Sequence, residues 1–147
     1  KVKSTGQKVQ MTNELHTFAF EKLKVWDEIR ILINMIYSIT KKYPKEEQFC
    51  LVNQIRRAIV SVSSNLAEGS SRISSKDQAH FYQLSYSSLM EVLSQLIVCK
   101  DLSYIIQNDY NETRIKIQSV SYLLNQLRKS TLTKHSQLLK SSHTIES

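Results

Sequence analysis

The stretch FCLVNQIRRAIVSVSSNLAEG, residues 49–69, decides the fold class. Phe49, Val52, Ile55, Ile59, Val62 and Leu66 recur at steps of 3, 3, 4, 3 and 4, the spacing that lays one apolar seam along a helix. Pro44 suits the first turn of this helix, with Glu46 and Glu47 where the dipole favours negative charge. Gly69 is placed to close it in the left-handed conformation. Upstream, Val25, Ile29, Leu32, Ile36, Ile39 and Tyr43 form a second seam that Pro44 terminates.

Downstream, Ser75 and Gln78 make a capping box for a third helix carrying Phe81, Leu84, Leu89, Val92, Leu96, Cys99, Leu102 and Ile106. Ser85 and Ser88 fall on or beside its packed face, where small side chains let a neighbour approach. Asn108 and Asp109 mark the next break, with Asp109 and Glu112 as a capping pair. Thr113, Ile117, Val120, Leu124 and Leu127 give the fourth seam. Four such helices with short connections predict an all-α, antiparallel up-down-up-down four-helix bundle. Residues 1–19 read as a flexible N-terminal arm, 20–129 as the bundle and 130–147 as a poorly ordered, Ser/Thr-rich tail.

Composition agrees. Two glycines and one proline in 147 residues leave too little turn chemistry for a sheet. Cys50 and Cys99 both sit in apolar periodic segments and read as small buried hydrophobes of a reducing compartment. The polar start and the short run Ile31 to Tyr37 predict a cytoplasmic protein with no membrane partner. The net charge is +7, spread thinly: residues 44–106 carry none of it. That favours anionic partners without making the dense stripe of a dedicated DNA reader.

From Phe20 to about Ile106 the chain resembles the bacterial four-helix-bundle proteins encoded by intervening sequences of 23S ribosomal RNA genes. The matching text is Phe20-Glu21-Lys22-Leu23-Lys24-Val25-Trp26, then Tyr43-Pro44-Lys45-Glu46-Glu47. The most specific block is Leu51, Gln54, Arg57-Ala58, Ser61, Asn65, Ala67-Glu68-Gly69 and Arg72, followed by Ser88-Leu89, Glu91, Leu102 and Tyr104. Ser63 stands where the family often has proline, and Tyr86-Ser87 replace its usual Arg-Gly. The resemblance implies a homo-oligomer, a ring-like pentamer, related to accessory subunits of reverse transcriptases in diversity-generating retroelements that engage nucleic acid through a basic surface.

Chemistry beyond binding finds little support in the residues. No Glu lies three positions before His16, His80, His135 or His143, so no di-iron pattern exists and no metal or cofactor is expected. Arg128 and His135 have the spacing of the HEPN ribonucleases, but lie beyond the firm periodic pattern. The expectation is a non-enzymatic protein binding RNA or DNA through phosphate contacts, with Arg30, Arg56, Arg72, Lys76, Arg114 and Lys116 as candidates. Its rival is a protein-binding scaffold or accessory subunit that does not touch nucleic acid. Trp26, Tyr37, Arg57, Ser61, Asn65, Glu68, Gly69 and Glu91 are candidates for a subunit interface or for the family motif.

Overall fold

The computed structural model describes residues 13–145. Within them lie α1 (Lys24–Thr40), α2 (Leu51–Ser71), α3 (Ser75–Asp101) and α4 (Gln107–Ile145), with short 3-10 turns at Ala19–Lys22 and Lys45–Glu47. Among the described residues there is no strand. Each helix packs against its two neighbours in cyclic order, giving an antiparallel four-helix bundle. Of the N-terminal arm, residues 1–12 lie outside the described set, and 13–18 are exposed with no regular structure.

The first seam is observed as read: Val25, Ile29, Leu32, Ile36, Ile39 and Tyr43 are all buried. In α2, Val52, Ile55, Ile59, Val62 and Leu66 are buried, joined by Ala58. Full burial of a single Leu or Ile side chain contributes about 1.5–3 kcal/mol. Phe49 does not belong to that seam. Pro44 opens the 3-10 turn rather than α2, and Cys50 takes a non-helical conformation (φ −116, ψ −105) that delays α2 to Leu51. Phe49 is therefore 87% exposed, and Cys50, expected inside, is exposed as well, while Cys99 is buried.

The third seam also differs from the reading. The buried residues are Ala79, Tyr82, Ser85, Leu89, Val92, Leu96 and Cys99, at steps of 3, 3, 4, 3, 4 and 3. Phe81 is half-buried and Leu84 exposed. The reason is how closely α2 and α3 approach. Ser85 Oγ donates to the Val62 carbonyl at 2.7 Å, and Ser61 and Ser88 share a hydrogen bond of 3.0 Å. A leucine would not fit on that line.

Gly69 serves the same contact. It lies inside α2, which continues to Ser71, so it does not close the helix in the left-handed region. A Cβ there would stand 2.8 Å from Phe81 Cβ and 2.9 Å from Tyr82 Cε1.

The caps move by a residue or more. Ser74, not Ser75, caps α3, accepting from the Asp77 amide at 3.1 Å. α3 ends at Asp101, where Ser103 takes the positive φ of 62 that turns the chain. Leu102 and Ile106 consequently lie exposed in the connection, and α4 starts at Gln107, placing Asp109 in its first turn. At the other end α4 does not stop near Lys129 but remains helical to Ile145, with Thr131 its last buried residue.

Candidate nucleic-acid interface

Arg56 is held on the face between α1 and α2. Its Nε donates to Thr40 Oγ1 at 3.0 Å and its terminal nitrogen to the Tyr37 carbonyl at 3.4 Å. The guanidinium lies over the Tyr37 ring, 4.5 Å from the centroid. These contacts place a cation on the last turn of α1, where carbonyls lack helical partners and the dipole is negative. Arg56 is therefore first a cap.

Beside it, Arg57 is exposed. A cavity of about 670 Å³ is lined by Tyr37, Asn53, Arg56, Arg57, Val60, Ser61 and Ser64, with no carboxylate among them. On α1, Arg30, Asn34 and Lys41 are exposed and lie 7 and 3 residues before and 4 after Tyr37. At about 100° per residue all fall on one helix face with the ring. The α1–α2 surface thus gathers Arg30, Lys41, Arg56 and Arg57 around one tyrosine.

Arg57 also borders a second depression of about 370 Å³ with Asn53, Gln54, Ala58, Ser61 and Glu91, towards α3. Asn65 Nδ2 donates to the Ser61 carbonyl at 3.0 Å and to its Oγ at 3.1 Å, tying that hydroxyl to the Ser88 contact. Gln54, Arg57, Ser61 and Asn65, on one face of α2, thereby meet Glu91 of α3 along the α2–α3 line.

The remaining candidates lie elsewhere. Arg72 is held at the far end of α2, paired with Glu68 at 2.7 Å and Asp77 at 3.7 Å and stacked over Phe81 at 4.3 Å. Lys76 is exposed beside that turn. Lys116 pairs with Glu28 of α1 at 2.7 Å, joining two helices. Arg114 donates to the Tyr110 hydroxyl at 2.6 Å, and Lys100 stands over the same ring at 4.5 Å. Trp26 packs on the core and edge-on against Phe20 at 4.7 Å. The six sequence-chosen cations therefore do not form one surface. Arg56 and Arg30 share a face; the others serve internal contacts or different ends.

Sequence reasoning missed Asn53 and the cap formed by Arg56, because a cap donated across two helices leaves no local spacing. The Tyr110 platform was legible in principle, since Tyr110 and Arg114 are four residues apart.

A buried cluster closes the bundle below α1. The Tyr43 hydroxyl is buried with no hydrogen-bond partner, and its ring tilts against Tyr104 at 5.7 Å. Burial, with Cys99 beside it, pushes Tyr43 above the ordinary tyrosine range, and burial likewise pushes the Cys99 thiol up. Tyr104 donates to Glu47 at 3.1 Å. Among the described residues, no three His, Cys, Asp or Glu side chains converge to hold a metal. None of the described helices is long and apolar enough to cross a membrane.

Residues 21–126 match the family model described as 23S rRNA-intervening sequence protein. The chain belongs to that family. Its fold is also that of a solved protein of unknown function from the S23 ribosomal protein family of Bacteroides thetaiotaomicron VPI-5482. The two share 18% identity at a TM-score of 0.65, over 71% of this chain and 98% of that one. No curated protein matches the chain. The family match leaves the end of α4 outside, and the cavity beside Arg57 lies wholly within it.

Proposed function

We propose that this member of the family binds nucleic acid as a homo-oligomer, holding phosphates on its α1–α2 face and reading no bases. The carboxylate-free cavity bordered by Arg56 and Arg57 carries the reading, with Arg30 and Lys41 on the same side. The exposed Arg57 guanidinium suits phosphate oxygens, and Asn53 adds a neutral donor at the rim. RNA is the first probe, because the family description names a ribosomal RNA. Nothing in this reading requires a reaction, and bound RNA should stay intact.

Arg57 facing Glu91 across the smaller depression favours a second reading, a polar contact with another protein or subunit. Fluorescence anisotropy with a labelled structured RNA separates the two. Changing Arg30, Lys41 and Arg57 together to Gln should weaken binding to every sequence alike and lower the salt slope by about 2–3. The R72Q/K76Q double variant, at the opposite end of α2, should leave the slope unchanged. Absence of binding at tens of micromolar protein in low salt would leave the protein contact as the function.

A further inference from the structure

α4 is 39 residues long, against 17, 21 and 27 for the other helices. Beyond Thr131 it projects past its neighbours for 14 residues, roughly 20 Å at 1.5 Å per residue. This overhang lies outside the family match, which ends at residue 126.

The charge pattern points to its partner. From Thr113 to Ile145 no Asp or Glu occurs, while Arg114, Lys116, Arg128, Lys129, Lys134 and Lys140 do. A helix kept merely soluble interleaves both signs and gains from i,i+4 pairs. Arg114 and Lys116 are engaged inside the bundle, and Arg128 is half-buried. Lys129, Lys134 and Lys140 are exposed. At 100° per residue they share an arc of about 160° with Ser130, Ser136 and Ser141. Leu132, Leu138, Leu139 and Ile145 occupy the opposite arc, so the lysines have a face of their own.

We infer that the end of α4 is a second phosphate-contacting element, gripping a nucleic-acid backbone through Lys129 at the root of the overhang and Lys134 and Lys140 on it. This rests on the nucleic-acid reading above, and adds an anion-binding surface at the end of the bundle where α4 emerges. Its test uses the full chain with a labelled RNA hairpin and a labelled DNA duplex, titrated at several salt concentrations. Three variants are compared: K129Q/K134Q/K140Q, L132S/L138S/L139S/I145S, and the α1–α2 variant R30Q/K41Q/R57Q. Glutamine keeps helix propensity, and circular dichroism checks that the overhang is still helical.

The lysine variant should lower the slope of log affinity against log salt by up to about 3 on either probe, one phosphate per lysine. The apolar variant should keep the wild-type slope and the wild-type mass by light scattering. An unchanged slope in the lysine variant, with a reduced one in the α1–α2 variant, would overturn the overhang and leave the α1–α2 face standing. A fall in mass in the apolar variant, with the lysine variant binding like wild type, would also overturn it and assign the overhang to self-association.

Discussion

Gly69 and Tyr43 show how single residues set the limits of this bundle. Alanine at position 69 would raise helix propensity by about 1 kcal/mol, since Gly69 lies inside α2. Its Cβ would nevertheless fall 2.8 Å from Phe81 Cβ, close to the α3 backbone. Overpacking should prevail, and Gly69→Ala should destabilise by about 1–3 kcal/mol in urea melts. A stabilised variant would mean that α2 and α3 separate easily. Tyr43 carries a pH dependence. Its ionisation is raised above the ordinary 10.0 and that of Cys99 above 9.0, so at high pH the unfolded chain loses these protons first. The stability they contribute is complete below about pH 9 and falls as pH rises past their ordinary values. Tyr43→Phe removes a buried hydroxyl with no partner, so it should cost little at pH 7 and flatten the fall in Tm above about pH 10. An equally steep alkaline fall in Y43F would place the sensitive group elsewhere.

At the scale of the helices, Arg56 links α1 and α2 by two hydrogen bonds and a ring contact. Arg56→Ala should cost about 1–3 kcal/mol in denaturant melts. A loss below about half a kcal/mol would mean that the guanidinium is only loosely held and available to ligands. The seam of α1, that of α2 from Val52 onward and that of α4 as far as Leu124 were legible because their residues keep helical steps. Phe49, by contrast, is exposed and Leu127 half-buried. α3 was legible in kind but not in register. The jump of five from Leu84 to Leu89 was the signal, since regular steps back from Leu89 land on Ser85 and Tyr82. Apolar bias chose the leucine, whereas close helix approach had chosen the serine. Helix ends were read less well for a related reason: Ser74, Ser103 and Cys50 act through backbone geometry that several residue types can adopt. The overhang of α4 was missed because periodicity records packing, and a helix carried forward from a packed bundle needs no further seam to continue.

The whole molecule combines a family bundle with two cationic surfaces, the α1–α2 face and the exposed lysines at the end of α4, Lys129, Lys134 and Lys140. A net charge of +7 favours anionic partners in general and locates no surface for them. Location depended on which cations folding consumes: Arg72 and Lys116 are committed to internal pairs, and Arg56 is committed to a cap. The Glu68–Arg72 pair has the i,i+4 spacing of a helical ion pair, whereas the Lys116–Glu28 pair and the Arg56 cap join distant segments and need atomic distances. The account of function stands or falls on phosphate binding. The most direct measurement is the affinity of the intact chain for two unrelated structured RNAs, followed by anisotropy from about 50 to 200 mM salt. Phosphate binding predicts nearly equal affinities for the two RNAs and a steep linear fall, with a log–log slope of about −3 or steeper. Binding that discriminates strongly between the RNAs, or that hardly changes with salt, would contradict it.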